Sequence, residues 1–354
     1  MTSRGIPVLG WDIGGVNVKA VRVRPRAGQA PELESVSAAF EIQRDPGRLR
    51  DTLGALARCL GHREGWAHAI TMTAELSQAF RTKREGVSAI LDAVASAFPS
   101  DPIHVYLVDG RFVPPGEARA RPLEAGASNW VATATLVARL VPDAILVDIG
   151  TTSTDIIPIA GGKLAVRGRT DPARLSTGEL VYTGAVRTPA EALVREVPLW
   201  GGRAAVSAEG FATVGDAYVW LGRLAPEDYT SPTADGRPVT REAAGERLAR
   251  VVCGDREMLD DPAIDAIAGA IVEAQVELVA RSIHRVHDGI GREGPRALVV
   301  GVSHDHDVGL QPTGADRLGD GLERAARQAG LAHAGQPHLD VQLARTARDA
   351  VDVD

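Results

Sequence analysis

The chain has 354 residues, of which 44% are hydrophobic and 24% charged, as in ordinary soluble globular proteins. At roughly 100–200 residues per domain, this length predicts about two domains. The formal net charge of −7, with no long block of Lys or Arg, disfavours nucleic acid as a partner. Cys59 and Cys253 are far apart and form no CxxC pair, which argues against a disulfide framework or a thiolate zinc site.

The N-terminus, Met1 to Pro7, lacks the apolar core of a signal peptide. No apolar run approaches the length of about 20 residues that spans a bilayer. Together with the two separate cysteines, these features predict a reduced, cytoplasmic protein with no membrane partner.

The first third of the chain predicts a hairpin sheet followed by alternating helices and strands. Strands at 6–13 and 17–24 meet at Gly14-Gly15, where glycine permits positive φ at little steric cost. The apolar spacing then predicts a strand at 34–42, a helix at 49–60, a strand at 68–73, a helix at 87–98 and a strand at 103–108. This order is typical of an α/β domain.

The same order begins again after the Pro/Gly-rich stretch 113–116. The predicted elements are a helix at 127–140, a strand at 144–148, a second hairpin with an extension at 163–167, a long helix at 262–287 and a strand at 296–302. Residues 168–262 predict loops and short helices. We therefore expect one domain at 1–120 and a second at 121–354, with an irregular insert at about 168–262.

One short pattern occurs in both halves. Asp12-Ile13-Gly14-Gly15 and Asp148-Ile149-Gly150-Thr151 each follow an apolar run. Glycine turns expose N–H groups that bind phosphate oxygens. Mg²⁺ takes one or two carboxylates beside phosphate. A single such turn is common in hairpins that bind nothing, but two copies that each open a similar fold favour a clamp for a phosphorylated ligand.

This clamp defines a first set of candidate residues. We expect Asp12 and Asp148 to hold Mg²⁺ and Lys19 to supply a positive charge to a phosphoryl group. The turns and the residues that follow them supply the predicted phosphate-binding groups: Gly14, Gly15, Asn17, Gly150, Thr151, Thr152 and Thr154.

The paired hairpins resemble the two phosphate loops of the actin-like ATPase superfamily. Five further segments are similar to hydantoinase/oxoprolinase-related proteins of the tetrahydromethanopterin-linked one-carbon pathway, and within them to methanofuran-type synthases: Thr71 to Leu76, Lys83 to Val87, Gly168 to Pro172, Gly178 to Gly184 and Arg187 to Pro189. The resemblance covers roughly 8–300 and is most specific at 145–190. It implies an α/β fold of two ribonuclease H-like domains around a central cleft.

The resemblance also implies a transferase reaction. Such enzymes join an aminomethylfuran-methyl diphosphate to the phenol oxygen of γ-glutamyltyramine, and diphosphate leaves. The clamp would then hold the leaving group, with Asp12, Lys19, Asp148 and Glu75 as catalytic groups. A phenol has a pKa near 10 and needs a base or a positive field to attack. The expected partners are these two small molecules and, as an alternative to a monomer, a second copy of the chain.

Two further groups of residues have two interpretations each. Glu75 and Lys83 follow a predicted strand. In the first interpretation, Glu75 is a polar or basic group that faces the substrate and Lys83 is a second contact to diphosphate. In the second, both belong to a solvated turn that caps the next helix. Four residues after the second hairpin either bind substrate in the cleft or form a buried ion-pair network: Arg169, Asp171, Glu179 and Tyr182.

The C-terminal part departs from the superfamily. In that superfamily, a third conserved element is a glycine-rich turn that holds adenosine. In this chain, Gly301 is the only glycine at the corresponding place, in the predicted strand at 296–302. The missing glycine argues against ATP as a cofactor. It is consistent with a diphosphate substrate smaller than ATP, or with a protein that no longer catalyses the reaction of the family. The alternatives are an ATP-dependent small-molecule kinase, a hydantoinase/oxoprolinase-like hydrolase, or a non-catalytic protein that retains the clamp. His304 and His306 have metal-site spacing, although an exposed polar loop is the preferred interpretation.

Overall fold

The computed structural model describes residues 6–290, together with the backbone of three strands beyond them. The first sheet has six strands: β1 (Val8–Ile13), β2 (Asn17–Arg24), β3 (Glu32–Ala39), β4 (Ala67–Met72), β5 (Ile103–Tyr106) and β6 (Phe112–Val113). Their order is β3-β2-β1-β4-β5-β6. β1 is antiparallel to β2 and parallel to β4, so the carboxyl ends of β1 and β4 lie together at the edge where the first glycine turn sits.

Two helices cover this sheet, α1 (Leu49–Cys59) and α2 (Lys83–Ala97). α2 begins four residues before the predicted start. The Thr82 hydroxyl accepts a hydrogen bond from the Glu85 backbone N–H at 3.1 Å, and the Glu85 carboxylate accepts one from the Arg81 N–H at 3.0 Å. This arrangement resembles a capping box and starts the helix at Lys83.

Three short helices lead to the second sheet: α3 (Pro115–Ala120), α4 (Pro122–Ala125) and α5 (Asn129–Leu140). The second sheet begins with β7 (Ala144–Ile149), β8 (Thr154–Ala160) and β9 (Lys163–Leu164). After these strands come α6 (Asp171–Thr177) and β10 (Leu180–Val181). β7 is antiparallel to β8, which pairs in turn with β9 and β10.

The insert is more regular than predicted. It contains α7 (Ala190–Leu193), the hairpin β11 (Glu196–Leu199) and β12 (Gly202–Ala205), α8 (Val214–Trp220) and α9 (Arg241–Arg250). These elements surround a core of their own. The guanidinium of Arg247 and the carboxylate of Asp216 are both fully buried within it, with Nε 2.8 Å from Oδ1.

The long helix α10 (Asp261–Ile290) joins the insert to the second sheet. Its first half packs Ile264, Ile267 and Ile271 into the core of the insert. Its second half packs Val279 and Ile283 against β7 and β8. One apolar stripe at a period of 3.6 residues therefore serves two cores.

The last strands complete the second sheet: β13 (Ala297–His304), β14 (Asp307–Val308) and β15 (Gln311–Thr313). β13 is parallel to β7, with Gly301 opposite Asp148. Both sheets therefore start with an antiparallel hairpin whose first strand also has a parallel neighbour. This topology confirms the predicted α/β, actin-like (ribonuclease H-like) fold. Within the described residues, no helix combines the length and the apolar character needed to cross a bilayer.

Candidate active site

The two glycine turns have the same backbone geometry. The Gly14 N–H donates to the Asn17 carbonyl at 2.9 Å, and the Gly150 N–H donates to the Ser153 carbonyl at 2.9 Å. In both hairpins an aspartate stands two residues before the turn glycine. The similarity predicted from the sequence therefore extends to the hydrogen bonds of the turns.

The residues opposite the two aspartates carry opposite charges. Asp12 is in register with Lys19 in the first hairpin, whereas Asp148 is in register with Asp155 in the second. Directly opposed side chains on neighbouring strands lie about 5 Å apart. The first hairpin thus pairs unlike charges, and the second places two carboxylates on one face.

Neighbouring backbone holds the first turn in place. The Thr73 N–H donates to the Ile13 carbonyl at 3.0 Å, and the N–H groups of Phe40 and Ile42 donate to Val16 and Gly15. A Cβ built on Gly15 would meet nothing within 4 Å. The turn is therefore rigid on one side and open at Gly15.

The second turn rests on the segment 183–188. The Ala185 N–H donates to the Gly150 carbonyl at 2.9 Å, and the Arg187 N–H donates to the Thr151 carbonyl at 3.0 Å. A Cβ on Gly184 would lie 2.5 Å from the backbone nitrogen of Thr152. Only glycine allows this close approach.

A buried polar network fixes this segment in turn. The Gln275 side-chain amide donates to the Thr183 hydroxyl at 2.7 Å and to the Gly184 carbonyl at 2.8 Å. The Tyr218 hydroxyl donates to Gln275 Oε1 at 2.7 Å. The Thr154 hydroxyl, predicted to contact phosphate, is fully buried and donates to the Thr183 carbonyl at 2.7 Å, so in this structure it supports the turn.

Glu75 and Lys83 from the first half of the chain meet Asp171 from the second half. Lys83 Nζ lies 3.1 Å from Glu75 Oε1 and 2.6 Å from Asp171 Oδ2. Glu75 is 1% exposed and packs so closely under Gly126 that a Cβ there would be 2.8 Å from its carboxylate carbon. Burial raises the pKa of Glu75, although the Lys83 ammonium opposes this. Burial acts to lower the pKa of Lys83, but Glu75 and Asp171 outweigh it and raise that pKa.

A second charged group, which no sequence pattern predicted, lies near this one. The Arg174 guanidinium is buried, lies 2.9 Å from Asp155 Oδ1 and stacks on Trp130 at 4.0 Å from the ring centroid. Burial raises the pKa of Asp155, against the effect of Arg174. The pairing of Asp155 with Asp148 across the hairpin was the one available signal, because two opposed carboxylates need a cation.

The remaining predicted substrate residues divide into buried and exposed ones. Glu179 is buried and accepts hydrogen bonds from the backbone N–H groups of Arg167 and Gly168 at 2.6 and 2.8 Å, so in this structure it supports the backbone of that segment. Arg169 is exposed, and the Tyr182 side chain is 60% exposed directly after β10.

A histidine cluster lies at the opposite end of the first sheet, near the start of β4. Asp101 Oδ2 is 2.9 Å from His62 Nε2 and 3.2 Å from His68 Nε2. The Trp11 indole N–H donates to His68 Nδ1 at 3.0 Å. His68 is therefore the neutral tautomer that carries its proton on Nε2. A metal on Nε2 would require a proton on Nδ1, which faces the indole N–H, so the cluster is a structural hydrogen-bond chain.

The predicted carboxylate metal site is of the right chemical type. Asp12 and Asp148 offer the oxygen ligands that Mg²⁺ prefers. Within residues 6–290, no group of three or more His, Cys, Asp or Glu side chains converges around them, so water and phosphate oxygens would supply the other ligands. The side chains of the His304–Asp307 segment lie outside the described residues.

The fold and these paired turns define a member of the actin-like class. Residues 67–302 match the family model described as hydantoinase/oxoprolinase, and the chain belongs to this family.

Two similar proteins have the same name, (4-{4-[2-(gamma-L-glutamylamino)ethyl]phenoxymethyl}furan-2-yl)methanamine synthase. The protein from Methanocaldococcus jannaschii is 36% identical over 79% of this chain and 82% of its own length. The protein from Methanococcus vannielii is 34% identical over 42% of this chain and 66% of its own.

Similar solved structures show weaker likeness. Nucleotide-free acetone carboxylase is 12% identical, with a TM-score of 0.44 over 81% of this chain and 64% of its own. Glucokinase from Balamuthia mandrillaris is 12% identical, with a TM-score of 0.43 over 98% and 95%.

Proposed function

We propose that this protein is a transferase that forms an aryl ether in the biosynthesis of a methanofuran-type cofactor. The phenol oxygen of a glutamyltyramine-type acceptor would displace diphosphate from an aminomethylfuran-methyl diphosphate. The observation that carries the proposal is the 36% identity, over most of both chains, to a synthase whose product contains this phenoxymethyl-furan linkage.

The paired turns support a role in binding the leaving group. As the methylene carbon–oxygen bond breaks, its electron pair moves to the diphosphate, and the furan ring stabilises positive charge on the methylene carbon. Backbone N–H groups at Gly15 and Thr151, next to the turn glycines Gly14 and Gly150, and the Lys19 ammonium would stabilise the growing negative charge. Asp12 and Asp148 would hold Mg²⁺, whose charge would add to this stabilisation.

Glu75 is the candidate base for the phenol proton. As the phenol oxygen bonds to the methylene carbon, its proton must pass to an acceptor. A buried carboxylate with a raised pKa is a stronger base than an exposed one. Because Lys83 lies between Glu75 and Asp171, a shift of the ammonium toward diphosphate would open Glu75 to the acceptor.

A turnover assay tests the proposal. Purified protein with Mg²⁺, the furan diphosphate and a tyramine derivative should release diphosphate and form the ether in equal amounts, as measured by mass spectrometry and diphosphate detection. A folded protein that forms no ether would contradict the proposal. Calorimetry with Mg²⁺ and ATP provides the comparison, because tight ATP binding would favour a kinase or hydrolase instead.

A further inference from the structure

We propose that Arg187 is a diphosphate-binding residue of the second turn. The inference rests on the proposed function and adds to it a residue of the site itself. Arg187 lies in the segment 183–188, which supports the second turn.

The backbone places Arg187 beside the turn. Its N–H donates to the Thr151 carbonyl at 3.0 Å, and the Val186 N–H donates to the same oxygen at 3.2 Å. The buried hydroxyls of Thr183 and Thr188 lie 2.8 Å apart and lock the segment on both sides of Gly184. The position of the Arg187 backbone relative to the turn is therefore fixed.

The Arg187 side chain is available for a ligand. It is exposed, and within residues 6–290 no hydrogen bond or ion pair engages its guanidinium. Arg169 is also exposed, but three other cations of this region each face a carboxylate in this structure. Lys83 lies between two carboxylates, Arg174 is buried against Asp155, and Lys19 stands opposite Asp12.

The charge balance of the site favours a further cation. Five carboxylates lie in the two hairpins and in the Lys83 group, against the three carboxylate-facing cations: Asp12, Glu75, Asp148, Asp155 and Asp171. A diphosphate brings additional negative charge, and Mg²⁺ offsets only part of it. A guanidinium suits the remaining role, because its planar set of donors binds two phosphate oxygens at once.

Calorimetric titration with inorganic diphosphate and MgCl₂ tests the inference without turnover. We expect Arg187→Ala to weaken binding about 10- to 100-fold, and Arg187→Lys to fall between it and the wild type, because lysine keeps the charge but not the bidentate geometry. Arg195→Ala is the matched control, since Arg195 is another exposed arginine of the insert with no side-chain partner in residues 6–290, and it should bind as the wild type does.

Two results would overturn the inference. One is an Arg187→Ala variant that binds diphosphate within twofold of a wild type that itself binds it. The other is turnover in which the variant raises the KM for the phenol acceptor and leaves that for the furan diphosphate unchanged, which would assign Arg187 to an acceptor carboxylate. Either result leaves ether formation by the wild type intact, so the proposed function fails separately, when the wild type forms no ether. Equal thermal unfolding of the variants shows that each is folded.

Discussion

Lys83 and Asp171 are each the first residue of a helix, and their side chains join the two halves of the chain. The ammonium of Lys83, at the start of α2, lies 2.6 Å from the carboxylate of Asp171, at the start of α6. A helix N-terminus favours an anion and disfavours a cation. Asp171 therefore suits its place, whereas Lys83 depends on Asp171 and on the buried Glu75 for its stability.

Removing the charge of Lys83 should destabilise the protein. Lys83→Met leaves Glu75 buried without its cation, and breaking a buried pair in this way costs about 3–5 kcal/mol. Because Lys83 keeps 20% of its side chain exposed, we expect the lower end of this range. The double variant Lys83→Met/Glu75→Gln should recover more than half of the loss in urea unfolding, since it removes both charges. A double variant no more stable than Lys83→Met would contradict the pairing.

A methyl group at Gly184 should displace the second turn. Gly184→Ala places a Cβ 2.5 Å from the backbone nitrogen of Thr152, and overpacking of this kind costs about 1–3 kcal/mol. We expect a lower Tm and at least tenfold weaker binding of diphosphate. Gly269→Ala is the control, because a Cβ in that helix meets nothing within 4 Å and alanine stabilises a helix by about 1 kcal/mol relative to glycine.

Binding of Mg²⁺ with diphosphate should depend on both turn aspartates. Asp12→Asn and Asp148→Asn each remove one of the proposed carboxylate ligands, so each should reduce the gain in diphosphate affinity that Mg²⁺ brings. The measurement is calorimetry with and without EDTA. Glu257→Gln, an exposed carboxylate in the insert, should keep the full gain. If Asp12→Asn and Asp148→Asn also kept it, the metal would bind elsewhere.

The rate of ether formation should fall at low pH because of Glu75. A base acts only when ionised, and burial raises the pKa of Glu75 above its ordinary value of 4.5. The acidic limb of kcat/KM should therefore have its midpoint above pH 4.5. Glu75→Gln should abolish this limb and slow the reaction about 10²- to 10⁴-fold. An unchanged acidic limb in the variant would assign the base to another group.

Acidification should destabilise the first sheet through His68. Burial lowers the pKa of His68 from 6.5 to about 4, against the effect of Asp101. The unfolded chain thus takes up this proton at a higher pH than the folded one. The stability that neutral His68 contributes is complete above pH 6.5 and is lost as the pH falls to about 4. The total loss in the free energy of unfolding is about 3 kcal/mol.

Urea unfolding at several pH values measures this loss. His68→Gln offers an acceptor to Trp11 and a donor to Asp101 but does not titrate, so its stability should fall less than that of the wild type between pH 6.5 and 4. Parallel decreases in the two proteins would show that His68 is not the responsible group.

The local elements follow from the sequence because their signals are local. The apolar and β-rich runs on either side of a glycine turn predicted β1 and β2, the 3.6-residue period predicted α1 and α10, and glycine marked both turns. The predictions were wrong at the ends of elements, where a few contacts decide the boundary. The Thr82 cap moves the start of α2 from Val87 to Lys83, and β3 spans Glu32–Ala39 instead of 34–42. The insert appeared irregular because its hairpin and short helices depend on a shared core.

The sequence by itself determined two aspartates on matching turns, and with them the expectation of a phosphate clamp. It did not show that Lys83 would meet Asp171, 88 positions away, or that Gly184 would support the second turn. Such contacts carry no periodic signal, since they depend on how sheets and helices pack. Only the tertiary structure decided which charges are committed to each other and which remain for a ligand.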